Sequence, residues 1–356
     1  MRRLIVLGTG AFGTTTSDAL RSLGLHPLLA SRRGGADIEV DAEDARSVRA
    51  AFAKDDLVVD TAGPFHARSA VLAQAAIDLG FDLIDISDDL DYAERLLRLA
   101  APIERAGVRV LNACSSVSAL SACLVLLSGC RRPARVTGFL APATRRTSSS
   151  GSARSLLRSV GMPIRAWRDG AFVTLRGWSE ARDLVLEEPK RAIRGRLVGS
   201  ADALHLPRAF PTLRRVDMYV DPNAAGLDFL LRVAARVPAL RRLLERHVAS
   251  GARLSRWLGS DLGALAYEIE ADSGEAVSYA VLSRARAHLI PVAPAVLAAR
   301  RIAEGRFAGS GLVPPHQQVD PAELRAFLDS EGIELRRGGG RRGCSSPSSG
   351  RVGCGR

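Results

Sequence analysis

The sequence predicts an α/β protein: an N-terminal, doubly wound parallel sheet followed by a second α+β domain. Three observations predict it. Apolar runs alternate with helix-like segments over residues 1–131, the first run ends in a glycine-rich turn, and residues 132–336 change to strand-like pieces separated by hairpin cues. Apolar runs joined by helical crossovers imply parallel strand pairing, and 356 residues suffice for two domains of ordinary size.

Six strands are predicted in the first domain, at residues 4–7, 27–30, 37–40, 56–59, 82–85 and 109–111. The helices between them are predicted at 14–23, 42–53, 66–79 and 91–106. Three of these helices stop at a glycine, which is a common helix terminator. Six alternating strands are the complement of a Rossmann-type fold.

The second domain is predicted to contain strands at 136–140, 171–175, 217–220, 264–270 and 278–285. A helical block at 227–258 is broken near Pro238, and a late helix at 294–305 is expected to pack back on the first domain. Residues 337–356 are rich in Gly, Ser and Arg with little to bury, so this tail is predicted to be disordered.

The strongest local signal is a G-x-G-x-x-G turn between the first strand and the first helix, formed by Gly8, Thr9, Gly10, Ala11, Phe12 and Gly13. In this context the glycines allow a tight turn, close approach of the backbone to a pyrophosphate, and close helix–strand packing. The helix N-terminus offers free N–H groups to the phosphates. The alternative is a plain glycine turn.

The end of the second strand predicts which cofactor binds. NAD-binding proteins usually carry an acid there, whereas this chain has Ser31, Arg32 and Arg33 and no acid before Asp37. Guanidinium groups bind a 2′-phosphate that a carboxylate would repel, so the pattern favours NADP(H). Alternatively, the arginines are ordinary solvated loop residues.

A second cofactor contact is predicted after the fourth strand, at Thr61, Ala62, Gly63, Pro64 and Phe65. Loops at the carboxyl ends of the strands form the ligand crevice of such folds. The small residues leave room for a flat cofactor, and Pro64 fixes the turn. The alternative is a simple strand–helix turn.

These motifs resemble those of saccharopine dehydrogenase-like oxidoreductases. The resemblance rests on the glycine turn, Ser31–Arg33, the run 58–65 and the run 80–87, in which a glycine precedes an Asp-x-Ser strand end. Asp60 stands where asparagine is expected more often. The resemblance implies an NADP(H)-binding domain and a substrate domain, and it does not imply saccharopine as the substrate.

Catalytic residues are harder to identify. No tyrosine is followed by lysine at the Tyr-x-x-x-Lys spacing, which disfavours the short-chain reductase mechanism. His66 is a candidate general acid because imidazole titrates near neutrality, and the alternative is a surface histidine. Asp88 can bind a cationic substrate group or relay a proton, and the alternative is capping of the helix that follows.

Composition excludes several other classes of protein. Half of the net charge of +12 comes from six arginines after Glu334, and no basic helix or finger is present, so nucleic-acid binding is not expected. The five cysteines lack metal-ligand spacing, so no metal site is predicted. The longest apolar stretch is too short to span a bilayer and no signal peptide opens the chain, so a cytoplasmic protein without stable membrane insertion is expected. An oligomer is allowed.

The sequence therefore predicts an enzyme, an NADP(H)-dependent oxidoreductase. It would transfer a hydride to or from a C=O, C=N or activated C=C bond of a small-molecule substrate in the cleft between the domains. The alternative, favoured by the lack of a recognisable acid–base pair, is a non-catalytic NADP(H)-binding sensor or scaffold.

Overall fold

The first domain is built on a fully parallel sheet of seven strands. The computed structural model describes residues 2–32, 34–186 and 189–339. Numbered in chain order, the strands of this sheet are β1 (Leu4–Leu7), β2 (Leu28–Ser31), β3 (Ile38–Glu39), β4 (Leu57–Asp60), β5 (Asp82–Asp85), β6 (Arg109–Leu111) and β15 (Gly311–Leu312). Their order in the sheet is β3-β2-β1-β4-β5-β6-β15. This is the Rossmann order with one strand added, which confirms the predicted fold class.

Helices cover both faces of this sheet, because the chain leaves β1 in one direction toward β2 and β3 and in the other toward β5 and β6. The helices of this part of the chain are α1 (Ala11–Ser22), α2 (Ala45–Ala51), α3 (Val71–Leu79), α4 (Leu90–Leu97) and α5 (Ala100–Ala106), followed by α6 (Ala119–Ser128), which packs against the second domain. The strands β1, β4 and β5 are buried along their whole length, as strands covered on both sides must be.

Two predicted helices differ from those observed. The helix predicted at 66–79 begins only at Val71, after a short 3₁₀ turn at Phe65–Ala67. The helix predicted at 91–106 is divided into α4 and α5. Pro102 lacks an N–H group and is tolerated only in the first turn of a helix, so a new helix starts just before it.

Residues near the C-terminus complete the first domain. The predicted late helix is α13 (Ala293–Ala303), which contacts α1 and β4. Strand β15 then pairs with β6, and the Arg109 Nε group donates to the carbonyl oxygen of Gly309 at 2.9 Å. Two segments far apart in the sequence therefore form one sheet.

The second domain contains a mixed sheet. Its strands are β7 (Pro133–Ala141), β8 (Pro163–Arg168), β9 (Ala171–Arg176), β10 (Ala181–Leu186), β11 (Arg191–Val198), β12 (Arg215–Val220), β13 (Gly263–Ala271), β14 (Ala276–Ser283) and β16 (Glu334–Gly339). The main order is β10-β11-β12-β7-β13-β14-β16, and the hairpin β8–β9 pairs with β12. Strands β7 and β12 pair in parallel, while the other pairs in this sheet are antiparallel.

The helices of the second domain lie on and beside this sheet. They are α7 (Thr144–Thr147), α8 (Ser150–Ser159), α9 (Asp202–Ala209), α10 (Leu227–Arg236), α11 (Pro238–Arg246), α12 (Val248–Leu258), α14 (Pro315–Gln318) and α15 (Pro321–Ser330). The helical block predicted at 227–258 is three helices, and Pro238 occupies the first position of α11, where its fixed φ suits a helix start.

The predicted start of the disordered tail at residue 337 is wrong by three residues, because β16 runs to Gly339. Its residues pair antiparallel with β14, from Leu282↔Glu334 to Val277↔Gly339. Backbone pairing orders this segment without any need for apolar side chains. Residues 340–356 lie outside the described residues. Within the described part of the chain, every helix is too short or too polar to cross a bilayer.

Candidate functional site

The glycine turn joins β1 to α1 with almost no free space. The Gly8 N–H group donates to the carbonyl oxygen of Ala30 at 2.8 Å, which ties the turn to the end of β2. A Cβ atom on Gly13 would lie 1.7 Å from the Gly8 carbonyl oxygen. Residue 13 must therefore be glycine for α1 to pack this closely against the turn.

Gly10 lies on the open side of the same turn. A Cβ atom there would meet nothing within 4 Å, and Thr9, Gly10 and Ala11 are exposed. Gly10 caps α1, and no side chain satisfies the first N–H groups of the helix. Unpaired N–H groups at an open helix N-terminus create positive potential and attract a phosphate. Phe12, half-buried, packs against the core behind the turn.

The loop after β4 lies directly against the glycine turn. Thr61 donates to the carbonyl oxygen of Leu7 through both its N–H and its hydroxyl group, each at 2.8 Å. A Cβ atom on Gly8 would lie 2.7 Å from Thr61 Oγ1. The loop continues outward through half-buried Ala62, exposed Gly63 and half-buried Pro64. The two predicted cofactor segments thus form one continuous surface.

Phe65 ends this loop and turns inward. Its buried ring packs on the Tyr92 ring of α4, with 5.5 Å between the ring centroids. This contact fixes the 3₁₀ turn at Phe65–Ala67, which carries His66 toward the second domain.

A buried ion pair behind the loop holds it in place. The Arg68 guanidinium lies 3.0 Å from the Asp60 carboxylate, and both side chains are buried. Arg68 also donates to Glu43 at 2.6 Å and to the Ala62 carbonyl oxygen at 2.7 Å. Burial raises the pKa of Asp60, against the opposing effect of Arg68. The sequence places Arg68 in the loop after β4, and its pairing with Asp60 is visible only in the folded structure.

Asp85, at the end of β5, is a second buried carboxyl group. It pairs in register with Asp60 and accepts hydrogen bonds from the Asn112 side chain at 2.9 and 3.0 Å and from the Ala113 N–H group at 2.9 Å. Burial raises its pKa to about 6 against the effect of these donors. Asp85 thereby fastens the loop after β6 to the carboxyl edge of the sheet.

The end of β2 places Arg32 in solvent. Its side chain is 75% exposed and lies 3.7 Å from the carboxylate of Asp41, an acid that lies beyond Asp37 in the sequence. Asp37 faces elsewhere and accepts from the Leu29 N–H group at 2.8 Å. Ser31 is buried at the strand end, and Arg33 lies outside the described residues.

A cleft of about 860 Å³ separates the two domains. The first domain contributes His66 and Asp88 together with the start of α4, and the second contributes α8, β8, β9 and part of α11. The two predicted catalytic residues therefore line the same cavity. Its other charged side chains are Asp89, Asp91, Arg154, Arg158, Arg165, Arg241 and Glu245.

His66 and Asp88 have opposite pKa shifts. Burial lowers the pKa of His66, and the positive charge of Arg158 lowers it further. Asp88 faces the cleft with a solvent-exposed side chain, and the nearby cleft walls raise the pKa of its carboxyl group by partial desolvation. It accepts from the Ser155 hydroxyl group of α8 at 3.0 Å, which links the two domains. The capping role that was the alternative for Asp88 belongs to Asp89, which accepts from the Tyr92 N–H group.

Cys114 is buried in the core, whereas the serine-rich segment at the start of α8 leads to residues that line the cleft. Burial raises the pKa of the Cys114 thiol well above its ordinary value, so this cysteine is a protonated core residue. In the serine-rich segment near Ser149, the Ser149 and Ser152 side chains form a capping box at the start of α8. Within α8, Arg154 and Ser155 reach the cleft.

A buried polar cluster that sequence reasoning missed joins the domains behind the cleft. Asp202 accepts from the Ser118 N–H and Ser121 hydroxyl groups, both at 2.7 Å, and from the Tyr267 hydroxyl group at 2.9 Å. The His205 Nδ1 atom lies 2.8 Å from Ser118 Oγ, and burial lowers the pKa of His205 to about 4. The cluster connects α6, α9 and β13. Among the described residues, no group of three or more His, Cys, Asp or Glu side chains could hold a metal ion.

Comparisons of the sequence with models of protein families and with curated proteins give no match. Among solved structures, the chain is similar to apo saccharopine dehydrogenase (L-Glu forming) from Saccharomyces cerevisiae. The TM-score is 0.61 at 14% identity, over 95% of this chain and 99% of that one. A levoglucosan dehydrogenase in complex with NADH and levoglucosan gives a TM-score of 0.42 at 10% identity, over 94% and 99% of the two chains. The first similarity supports the two-domain α/β fold described above, and the second score is too low to add to it.

Proposed function

We propose that the protein is an NADP(H)-dependent oxidoreductase. It moves a hydride between the cofactor and a C=O, C=N or activated C=C bond of a small molecule held in the cleft. The observation that carries this proposal is the glycine turn. Gly13 is required for packing and has no room for a side chain, whereas Gly10 is open to solvent at an uncapped helix N-terminus. The open, uncapped helix N-terminus at Gly10 is the feature that suits a pyrophosphate, because it offers free N–H groups and room for the ligand.

The surrounding residues fit the rest of the cofactor. Arg32 is exposed and its partner Asp41 is 3.7 Å away, an exposed pair that costs little to separate. Its guanidinium can therefore turn to a 2′-phosphate. Thr61–Phe65 would flank the nicotinamide end, since this loop joins the glycine turn to the cleft. The bound cofactor supplies the hydride, and the protein supplies orientation and proton transfer.

The proton roles follow from the lowered pKa of His66 and from the negative charge of Asp88 beside it. Because the pKa of His66 is lowered, its imidazole is neutral at pH 7 and can accept a proton when a substrate is oxidised. In the reductive direction the same imidazole, now protonated, returns the proton to the substrate, and the nearby Asp88 carboxylate, which raises the pKa of His66, stabilises that imidazolium. The Ser155–Asp88 hydrogen bond orients the carboxyl group across the cleft.

Titration with NADPH and with NADH, followed by cofactor fluorescence and thermal shift, tests the proposal. We expect NADPH to bind more tightly than NADH. Arg32→Ala should weaken NADPH binding about tenfold or more, the equivalent of one charged hydrogen bond, and leave NADH binding unchanged. Arg105→Ala is the matched control, because this exposed arginine ends α5 at the opposite edge of the sheet.

Two results would contradict the proposal. Failure of both cofactors to bind would make the glycine turn purely structural, and tighter binding of NADH would assign the Arg32–Asp41 pair to a ribose diol instead. Consumption of NADPH with carbonyl, imine or enoyl substrates would separate an enzyme from a non-catalytic sensor. His66→Gln and Asp88→Asn should then lower kcat while the Kd for NADPH stays unchanged.

A further inference from the structure

We propose that helices α10–α12 dock the protein reversibly on an anionic phospholipid surface. The exposed apolar side chains of α10 and α12 lie outside the lining of the cleft, to which only α11 of these three helices contributes, through Arg241 and Glu245. The docking is inferred from the exposure, arrangement and charge of the side chains on these three helices.

Exposed apolar side chains are concentrated on this face. Of the ten large hydrophobic side chains that are exposed in the described residues, seven lie within residues 227–258. Trp257 is 84% exposed, Phe229 65% and Leu254 59%. Isolated exposed apolar residues are normal on any protein, but a concentration of large ones marks an interaction site.

Five of these residues, on α10 and α12, form one patch, which we name the helical patch: Phe229, Leu230, Leu254, Trp257 and Leu258. The last three follow the i, i+3, i+4 spacing and share one side of α12. The Ala225 N–H group donates to the Leu258 carbonyl oxygen at 3.3 Å, which brings the start of α10 beside the end of α12. Phe229 and Leu230 follow within the first turn of α10.

The charge of these helices identifies the partner. Residues 227–258 contain seven arginines and two acids, a net charge of +5. Arg253 is four residues before Trp257 on the same helix, and the Arg232 guanidinium lies 5.6 Å from the centroid of the Phe229 ring. Exposed Trp, Phe and Leu side chains flanked by arginine on amphipathic helices are the composition that binds the headgroup region of anionic bilayers.

A second copy of the chain is a poorer occupant of the same patch. A symmetric dimer would bring together two copies of a segment whose net charge is +5, and like charges at an interface oppose association. An anionic bilayer instead neutralises the arginines while it buries the rings and leucines. Because the helices would contact only the headgroup region of the bilayer, the binding would be peripheral. Because it depends on attraction between arginines and anionic lipids, it would weaken as the salt concentration rises.

Flotation with vesicles of pure phosphatidylcholine, or of phosphatidylcholine with phosphatidylglycerol, tests this proposal on the full chain. We expect the protein to float with the phosphatidylglycerol vesicles and to remain below with the neutral ones. Trp257→Ser should reduce the bound fraction about tenfold. Val185→Ser is the matched control, since Val185 is 50% exposed on β10, outside the three helices, and should have no effect.

Charge reversal tests the electrostatic part in the same assay. Arg253→Glu should weaken vesicle binding about tenfold, and Arg105→Glu in the first domain should not. Tryptophan emission of the unaltered protein should shift to shorter wavelength with phosphatidylglycerol vesicles, since Trp178 is buried, Trp167 is half-buried and hydrogen-bonded to the Leu213 carbonyl oxygen, and only Trp257 is exposed. Absence of both flotation and shift would overturn the proposal. Concentration-dependent dimers that Trp257→Ser abolishes would assign the helical patch to a second copy and overturn it as well.

Discussion

Alanine substitutions at Gly10 and Gly13 separate packing from cofactor binding in the glycine turn. At Gly13 the added Cβ atom would lie 1.7 Å from the Gly8 carbonyl oxygen and 2.9 Å from Thr61 Oγ1. At Gly10 it would meet nothing within 4 Å. The φ and ψ angles of Gly10 are −78° and −174°, extended values that alanine adopts freely.

The structure sets the size of each effect. Non-bonded heavy atoms rest at about 3.5 Å, so Gly13→Ala must displace the turn by roughly 1.5–2 Å. Overpacking of this kind costs about 1–3 kcal/mol, and a clash with backbone atoms belongs at the upper end of that range. The expected fall in Tm is about 6–12 °C. Gly10→Ala should change Tm by less than about 2 °C, because it removes no contact within the protein.

Differential scanning calorimetry and NADPH titration of both variants provide the assay. Gly10→Ala should keep its Tm and raise the Kd for NADPH about tenfold or more, because the Cβ atom occupies the approach of the pyrophosphate. An unchanged Kd in the stable Gly10→Ala variant would refute the assignment of this turn to the cofactor. An unchanged Tm in Gly13→Ala would refute the packing argument.

Two further predictions concern the buried carboxyl groups behind the site. Arg68→Met leaves the buried Asp60 carboxylate without its partner and should lower the free energy of unfolding by about 3–5 kcal/mol. Adding Asp60→Asn to the same chain should restore much of this loss. Urea denaturation measures both variants, and a loss below about 1 kcal/mol in Arg68→Met would contradict the importance of the buried pair. The folded protein holds the Asp85 proton more tightly than the unfolded chain does, with a pKa of about 6 against about 3.9. This proton binding stabilises the fold below about pH 4, and up to about 3 kcal/mol of stability is lost as the pH rises through 6. In urea titrations at pH 4.5 and 7, Asp85→Asn should not show this loss. An equal pH dependence of the two proteins would exclude the proposed contribution of Asp85.

The fold of the first domain could be predicted because its local signals agree with its tertiary structure. The bounds of β1, β5 and β6 are those expected from the apolar runs at 4–7, 82–85 and 109–111. A short continuous apolar run indicates the bounds of a strand only when that strand is buried on both faces, as in a parallel sheet. Helix α1 begins three residues earlier than expected, because Ala11–Gly13 are already helical within the glycine turn.

The second sheet was predicted less completely because several of its strands are exposed on one face. Strands β10 and β11 carry arginine and other polar side chains at exposed positions, and these obscure the apolar alternation. Strand β16 is ordered by backbone pairing with β14, which composition cannot reveal.

In the candidate site, too, some residues could be predicted from the local sequence, and the roles of others depend on the tertiary structure. His66 and Asp88 follow strands and were predicted from their place in the chain, and both line the cleft. Arg68 pairs with Asp60, eight residues earlier in the chain, and Asn112 donates to Asp85 of the neighbouring strand, so both roles depend on how the chain folds back on itself. No spacing in a single sequence encodes such a contact.

The return of the chain to the first sheet affects how the protein is synthesised. Strand β6 is made about 200 residues before its partner β15. At about 5–20 residues per second, a ribosome needs about 10–40 s to cover that distance. During this interval the nascent first domain exposes an unpaired strand edge and the apolar face that α13 will cover, both of which favour aggregation. The domain that begins the chain is therefore among the last parts of the molecule to be finished, and its completion waits for the domain inserted into it.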